Sequence, residues 1–252
     1  MDRKSEFQAL EAEHTEEAIA VRLAAATRHG YLGDFVLGAV DGAITTFAVV
    51  CGVAGAGLPS GVAIVLGFAN VLADGFSMAV GNYLSTKSEH DLLELARKTE
   101  EHHIERHPEG EREEIRQIFQ SKGFEGDLLE SITLTITEER KRWIDTMLTE
   151  EHGLQLEPPQ PLKAASVTFL AFMLAGMMPI LPLLLSPHLA VSQTFVASAA
   201  ATAITFISIG VVKGRYTGNP LLRSVAETLM IGGFAAILAY VAGVWLQGFT
   251  GI

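Results

Sequence analysis

Residues 34–88 read DFVLGAVDGAITTFAVVCGVAGAGLPSGVAIVLGFANVLADGFSMAVGNYLSTKS, and this stretch decides the fold. It contains two apolar runs, Phe35 to Gly57 and Val62 to Leu84. Each run is long enough to cross a bilayer, which requires about 20 residues. Only the short segment 58–61 separates them. The stretch therefore predicts two antiparallel transmembrane helices joined by a tight turn.

Each of the two runs carries an aspartate well inside it, Asp41 in the first and Asp74 in the second. A charged side chain at that depth costs at least roughly 2.5–3.5 kcal/mol, which indicates a functional role. Met78 follows Asp74 by one helical turn and shares its face. Carboxylates beside a thioether indicate a path for a cation that accepts a soft ligand. Two alternatives stay open: the acids only hydrogen-bond to neighbouring helices, and the methionine only packs.

Further polar side chains are candidates for lining this path. They are Thr45, Asn70, Asn82 and Glu227. Thr45 follows Asp41 by one helical turn, and the two asparagines extend the stripe of Asp74 and Met78 by one turn in each direction. Glu227 lies near the start of the last apolar run. It is either a ligand at the mouth of the path or an interfacial acid that reaches toward water.

Three more apolar runs complete the chain: Ala164 to Leu185, Val191 to Val212 and Val225 to Leu246. Pro179 and Pro182 interrupt the first of these, so we expect its helix to break near residue 177. The five runs predict an all-α, polytopic membrane protein with five transmembrane helices.

The basic residues predict the orientation of these helices. All 18 Lys and Arg residues lie in the segments 1–34, 87–163 and 213–224, whereas the loops 58–61 and 186–190 contain none. Five spans place the three basic segments on one side of the membrane, and cytoplasmic loops carry the excess of Lys and Arg. We therefore expect a cytoplasmic amino terminus and a carboxyl terminus outside.

Composition divides the chain into four parts. They are a cytoplasmic amphipathic leader (1–33), transmembrane helices 1 and 2 (34–86), a cytoplasmic helical metal-binding insert (87–163) and transmembrane helices 3 to 5 (164–252). Alanines favour a helix in the leader from about Glu6 to His29. The insert contains 19 Asp and Glu residues and no run of membrane length. Its predicted helices are a direct continuation of transmembrane helix 2 to His107, then Glu109 to Lys122 closed by Gly123, Asp127 to Ile136, and Glu138 to His152 after an N-cap at Thr137.

Acidic and histidine side chains recur at helical spacing in the insert. His103 follows Glu100 by three residues and Glu114 follows Glu111 by three, so each pair shares one face. A third group lies on the last helix of the insert: Met147, Glu150, Glu151 and His152. Helical bundles build metal sites from such groups on facing helices, and imidazole and carboxylate suit Fe, Mn, Co and Zn. The alternative is a solvated helix face.

Four runs resemble, in order and in spacing, the vacuolar iron transporter family. They are DGAITTFAVVCGVAG (41–55), ANVLADGFSMAVGNYLSTKSE (69–89), WIDTMLTEEHGL (143–154) and GMMPILPLL (176–184). The similarity extends from about Gly33 to the end of the chain. It implies a homodimer of five-span subunits that moves Fe²⁺, and often Mn²⁺, out of the cytosol in exchange for protons. The path would lie at the dimer interface, lined by the first two helices.

The resemblance also implies roles for individual residues. The family's pore acid corresponds to Asp41 and its pore methionine to Met78. Its metal-binding acids in the insert correspond to Glu100, Glu111, Glu114 and Glu151, and its insert methionine corresponds to Met147. Two positions depart from the pattern. Asn70 stands where some members have a glutamate, although Asp74 lies one turn on, and His103 stands where the family has a fourth insert acid.

The sequence as a whole predicts a transporter that exports divalent metal from the cytosol by proton antiport through a pore at a dimer interface. The expected partners are Fe²⁺ or Mn²⁺ (Zn²⁺ and Co²⁺ suit the same ligands), protons, the bilayer and a second copy. The membrane would be the plasma membrane of a prokaryote or the vacuolar membrane of a eukaryote. No catalytic arrangement or cofactor fingerprint is expected. A nucleic-acid-binding surface is not expected either, since the net charge is −11.

Two other classes of function remain open at this point. The first is a non-transporting membrane sensor or buffer whose insert binds metal. The second, weaker class is a membrane enzyme with a di-metal site built from carboxylates and histidine.

Overall fold

The computed structural model describes residues 7, 11–26, 30–185 and 191–250. These residues form helices joined by short connections and contain no β-strand, which confirms the all-α prediction. The chain divides into two compact units. We call Tyr31–Ser85 with Gln160–Ile252 the apolar unit, and Met1–Gly30 with Thr86–Pro159 the acidic unit.

In chain order the principal helices are α1 (Glu16–Ala26), α2 (Leu32–Gly55), α3 (Ser60–Arg106), α4 (Pro108–Ser121), α5 (Gly126–Glu138), α6 (Arg140–Glu150), α7 (Pro161–Met177), α8 (Leu181–Leu185), α9 (Val191–Thr217) and α10 (Leu221–Thr250). The apolar unit contains α2, the first part of α3, and α7 to α10. The acidic unit contains α1, the rest of α3, and α4 to α6.

Within the described residues, four helices are long and apolar enough to cross a membrane: α2, α3, α9 and α10. The fifth predicted span is shorter, because α7 has 17 residues and ends at Met177. A turn follows, and α8 begins at Leu181. The carbonyl oxygen of Pro179, freed by this break, accepts a hydrogen bond from Ser198 Oγ at 2.6 Å. The predicted break is confirmed, whereas the count of five spans stays a prediction. The predicted outer loop 186–190 lies outside the described residues.

Helix α3 has 47 residues without interruption. At 1.5 Å per residue it is about 70 Å long, more than twice the thickness of a bilayer core of roughly 30 Å. This confirms that the second predicted transmembrane helix continues directly into the insert. Pro108 begins α4, and Gly123 follows its end with a φ of 93°, the left-handed conformation expected of a glycine that closes a helix.

Glycines let α2 pack closely against its neighbours inside the apolar unit. A Cβ atom on Gly42 would lie 2.4 Å from the carbonyl oxygen of Phe172 in α7. One on Gly55 would lie 2.3 Å from the carbonyl oxygen of Tyr240 in α10. Small residues allow this backbone approach between helices in membranes. These glycines therefore serve contacts within one chain.

The acidic unit has its own core and its own cross-links. Ile115, Ile136, Trp143 and Met147 form a buried cluster. An ion pair between Arg97 on α3 and Asp145 on α6, with an N–O distance of 2.9 Å, links these two helices within the unit. The hydrogen bonds and charges of Lys141 and Arg97 outweigh the effect of burial, which alone would raise the pKa of Asp145, and hold that pKa below its usual value.

The predicted N-cap at Thr137 is wrong, because α5 continues through this residue. Thr137 is buried, and its hydroxyl donates to the carbonyl oxygen of Thr133 at 3.0 Å. The hydroxyl is thus satisfied inside the helix and does not cap the next one. The break falls at Glu139, whose backbone is extended and whose carboxylate accepts a hydrogen bond from Arg142 at 2.6 Å.

The predicted leader helix from Glu6 to His29 is interrupted. Residues 11–13 are helical, a turn and a bend follow, and α1 begins at Glu16. Thr15 explains the interruption, because its hydroxyl oxygen accepts a hydrogen bond from the Ala18 backbone N–H at 3.3 Å and so caps α1. Residues 8–10 and 27–29 of the predicted helix lie outside the described residues.

The close contact of α2 with α7 gives a test of the fold. We expect Gly42→Ala to lower the free energy of unfolding by about 1–3 kcal/mol, the typical effect of overpacking a tight contact. Gly33→Ala is the control on the same helix, because a Cβ atom there meets nothing within 4 Å. The measurement is the unfolding free energy of the purified protein in detergent. Equal stabilities of the two variants would contradict the described packing.

Candidate metal sites

Two buried carboxylates lie at the centre of the acidic unit. Glu100 on α3 is 2% exposed and Glu111 on α4 is 5% exposed. Within the described residues, the Oε2 atom of each has no hydrogen-bond partner. An ionised carboxylate that leaves water without a partner is strongly destabilised. One oxygen of each side chain is therefore left to be satisfied by a proton or a metal ion.

Histidines flank the two carboxylates. His152 Nε2 lies 2.9 Å from Glu100 Oε1, and His103 Nδ1 lies 3.4 Å from Glu111 Oε1. In the part of the chain that the structure describes, two groups can hold a metal ion, Glu100 with His103 and Glu111, and Glu100 with Glu151 and His152. The ligand atoms within each group lie within 4.8 Å of one another. A metal ion lies about 2.0–2.2 Å from its nitrogen and oxygen ligands, and small side-chain movements would bring the ligand atoms of either group to this distance from one ion.

The electrostatics of this cluster favour protons when no metal is bound. Burial raises the pKa of Glu111 to about 7, with repulsion from Glu114 and from Glu100 adding to the shift. Burial and the nearby Glu100 likewise raise the pKa of Glu151. The hydrogen bond to Glu100 raises the pKa of His152. A metal ion that enters the cluster near neutral pH must therefore displace protons.

Two other insert residues predicted to bind metal, Glu114 and Met147, are not part of either group of candidate ligands. Glu114 is exposed, but its charge acts on both Glu111 and Glu151. Met147 is fully buried in the apolar cluster with Ile115 and Trp143, which is a packing position. Its role as a ligand stays a prediction.

Several acids of the insert follow the alternative of a solvated face. Glu105 pairs with Arg140 and Glu109 pairs with Arg112, both at 2.6 Å, and both acids are exposed. The charge run thus contains two populations, exposed acids that pair with arginine and buried acids that do not. Spacing alone could not separate them, because the separation depends on which helix faces meet.

The apolar unit brings the predicted pore residues together. Asp41 and Met78 line one cavity of about 390 Å³. Its other lining side chains are Val36, Leu37, Val40, Lys213, Thr228 and Ile231. The Asp74 carboxylate lies close enough to that of Asp41 for their charges to repel. In the described part of the chain no hydrogen bond engages the side chain of either aspartate, so these acids are not simply tied to neighbouring helices.

The predicted partner of Asp41, Thr45, has a positioning contact. Its hydroxyl donates to the Asp41 carbonyl oxygen at 2.9 Å and accepts a hydrogen bond from Asn70 Nδ2 at 3.2 Å. This chain of hydrogen bonds joins α2 to α3 next to the two aspartates. A role of Thr45 or Asn70 as a lining side chain stays a prediction.

Asn82 occupies a polar junction of three helices. Its Nδ2 atom lies 2.7 Å from Asp34 Oδ1 on α2 and 2.7 Å from Thr168 Oγ1 on α7. The sequence did not indicate Asp34 or Thr168, because neither is part of the polar stripe on α3. Their contacts link α3, which carries Met78, to α2, which carries Asp41, and to α7.

The last predicted residue, Glu227 on α10, pairs with a lysine. Its Oε2 atom lies 3.0 Å from Lys213 Nζ on α9. Lys213, the first residue of the basic segment 213–224, lies inside α9 and lines the cavity of Asp41 and Met78.

The sequence profile of the VIT family matches residues 32–244. The chain belongs to the VIT family. Membership confirms the resemblance described above. Together with the four apolar helices it identifies an integral membrane protein.

Named relatives of this VIT-family chain come from plants and a parasite. Vacuolar iron transporter 1 of Tulipa gesneriana is 34% identical over 209 residues, which cover 82% of this chain and 83% of the relative. Vacuolar iron transporter 1 of Arabidopsis thaliana is 33% identical over 208 residues, 82% of each chain. The vacuolar iron transporter of Toxoplasma gondii is 31% identical over 229 residues, 88% of this chain and 76% of the relative. These relatives are named as transporters, which confirms that the chain is not an enzyme.

The raised pKa of Glu111 predicts how metal binding by this VIT-family protein depends on pH. Below about pH 7 Glu111 holds a proton that the metal must displace, and above it the carboxylate is free. We expect affinity to fall from pH 8 to pH 6, by up to about tenfold for each pH unit and each proton released. Calorimetry with Co²⁺ in two buffers of different ionisation enthalpy counts the released protons.

Two variants make this test specific to the buried cluster. Glu111→Gln should release fewer protons at pH 6 than the unsubstituted protein. Glu105→Gln is the control, because the Glu105 carboxylate is exposed and paired with Arg140, and it should release the same number as the unsubstituted protein. Equal proton release by Glu111→Gln and the unsubstituted protein would contradict the assignment.

Proposed function

We propose that this chain transports a divalent metal ion across a membrane and that Fe²⁺ is the substrate. The observation that carries the proposal is the cavity in which Asp41 and Met78 meet, with the Asp74 charge nearby. Acids at this depth need a neutralising partner, and a passing cation supplies it. The names of the relatives from Tulipa gesneriana and Arabidopsis thaliana support iron as the metal.

We propose that the acidic unit captures the metal on the cytoplasmic side. Glu100 and Glu111 are buried, and one oxygen of each has no hydrogen-bond partner among the described residues, so a metal ion gains more from them than from exposed acids. His103 and His152 add nitrogen donors to the oxygen donors. Imidazole with carboxylate suits Fe²⁺, Mn²⁺, Co²⁺ and Zn²⁺, whereas Mg²⁺ and Ca²⁺ prefer oxygen ligands alone.

Proton antiport follows from competition for the same carboxylates. Asp41 and Asp74 repel each other when both are ionised, so the pair is stabilised by one divalent ion or by protons. A protonated carboxyl group coordinates metal poorly, and proton entry from outside therefore releases the metal. Opposite fluxes are coupled if the cavity opens alternately to the two sides.

A homodimer with its path beside α3 is part of the proposal. Asp74 and Met78 are half-buried on α3, and exposed apolar side chains lie beside them, among them Leu72 and Phe76. Lipid covers apolar side chains well but leaves a carboxylate such as Asp74 without a partner. A second copy of α3 would cover the apolar side chains and enclose the acid.

The proposed topology has five spans, with α7 and α8 together forming the third. The amino terminus and the insert are then cytoplasmic and the carboxyl terminus is outside, and the distribution of Lys and Arg supports this orientation. The proposed membrane is vacuolar in a eukaryote and the plasma membrane in a prokaryote.

A metal sensor or buffer is the second candidate function. The observation that favours it is the acidic unit, which has its own apolar core and its own groups of candidate ligands. A sensor has no need of the aspartates in the apolar unit. Measurement of flux separates the two functions.

We expect Asp41→Asn to reduce Fe²⁺ flux into proteoliposomes at least about tenfold under a pH gradient, because a carboxamide neither takes up a proton nor neutralises a metal ion. Flux is followed with a dye that Fe²⁺ quenches inside the vesicles. Asp91→Asn is the control, since Asp91 is an exposed acid on α3. It should transport at the unsubstituted rate.

Two results would contradict the transport proposal. Unchanged flux in Asp41→Asn would remove Asp41 from the path. Absence of flux in the unsubstituted protein, combined with metal binding by the same preparation, would favour the sensor.

A further inference from the structure

An ammonium group lines the same cavity as the candidate metal ligands. Lys213 projects from α9 into the cavity that Asp41 and Met78 also line. Its Nζ atom lies 3.0 Å from Glu227 Oε2 on α10, and Glu227 is not among the side chains that line the cavity in the described structure. Lys213 therefore pairs with a carboxylate that does not line the cavity, that of Glu227, and shares the cavity with the carboxylate of Asp41.

A positive side chain at this position conflicts with the passage of a metal cation. A cavity of this volume is roughly 9 Å across, about one Debye length at physiological ionic strength, so a charge on its wall acts on an ion that enters it. Lys213 repels an incoming cation, and it can neutralise Asp41 in place of one. The ion pair with Glu227 limits both effects, because it holds the ammonium group against α10.

We propose that Lys213 is a tethered counter-ion that competes with the metal for Asp41, and that Glu227 sets the strength of this competition. The proposal rests on the function proposed above. When a metal ion occupies Asp41, Lys213 remains with Glu227. When the metal leaves, the positive charge of Lys213 on the cavity wall offsets part of the Asp41 charge. Lys213 thereby weakens metal binding in the cavity and favours release, and Glu227 keeps this effect from blocking entry.

The simpler role for this pair is a link between α9 and α10. The side chains of Lys213 and Glu227 are 32% and 53% exposed, and ion pairs with such exposure add little to stability. A link also makes a different prediction. Removal of either partner breaks a link, so both single variants would then have the same effect on metal binding. The competing counter-ion requires effects of opposite sign.

The test measures KM and kcat for Fe²⁺ uptake into proteoliposomes for Glu227→Gln, Lys213→Met and the double variant. Methionine keeps most of the lysine stem and removes its charge. We expect Glu227→Gln to raise KM and Lys213→Met to lower it, each by about two- to fivefold, the range typical of partly exposed ion pairs. The double variant should resemble Lys213→Met, because Glu227 acts only through the lysine. Arg215→Gln is the control for loss of positive charge in the same turn of α9, and it should leave KM unchanged.

Three results would overturn the proposal: an unchanged KM in Glu227→Gln, shifts of the same sign in the two single variants, or a double variant that resembles Glu227→Gln. If Lys213→Met does not fold, Lys213→Gln replaces it, and Glu227→Gln alone still decides the first result. Equilibrium binding of Co²⁺ is also measured in detergent, and binding at the cavity is taken as the part of the signal that is lost in Asp41→Asn. The affinities of the variants for Co²⁺ at this site should follow the same order as their KM values. If these affinities shift as expected but no flux is detected, the transport function is contradicted and the proposed role of Lys213 as a counter-ion is retained.

Discussion

The structure depends on carboxylates that leave water while at least one of their oxygens has no hydrogen-bond partner among the described residues. In the acidic unit, Glu100 and Glu111 are buried, and one oxygen of each has no hydrogen-bond partner among the described residues. In the apolar unit, Asp41 and Asp74 repel each other within helices that are apolar enough to cross a membrane. A folded chain tolerates such groups only when a proton or a metal ion neutralises them. Occupancy by protons and occupancy by metal are therefore linked by the fold itself.

The basic side chains are placed so that these carboxylates remain available. On the acidic unit, Arg140 pairs with the exposed Glu105, and Arg112 pairs with the exposed Glu109. In the apolar unit, Lys213 lines the cavity, yet its ammonium group pairs with Glu227. An arginine directed at a buried ligand would form a stable ion pair and exclude the metal. The acids that pair with these basic side chains thus lie at the surface, whereas the acids proposed to bind the metal ion have no arginine or lysine partner in the described part of the chain.

Much of this organisation could be predicted from the sequence, because the length of an apolar run and the position of a proline act locally. Run length predicted α2, α3, α9 and α10, and Pro179 predicted the end of α7. Other features depend on which helix faces meet and could not be predicted from spacing. The boundary between α5 and α6 lies at Glu139 and not at the predicted Thr137, because the Thr137 hydroxyl donates its hydrogen bond to the carbonyl of Thr133. The burial of Glu100 and the pairing of Lys213 with Glu227 arise only when separate helices pack together.

Difference infrared spectroscopy of the full-length protein tests the central claim most directly, because it observes the protonation of the carboxyl groups themselves. The metal-free protein at pH 7 should show the C=O stretch of protonated carboxylic acid, since burial raises the pKa of Glu111 to about 7. Addition of Co²⁺ should remove this band and produce the bands of coordinated carboxylate, with a smaller change in Glu111→Gln. A spectrum without a carboxylic acid band before metal addition, or one that metal leaves unchanged, would contradict the exchange of protons for metal on these side chains.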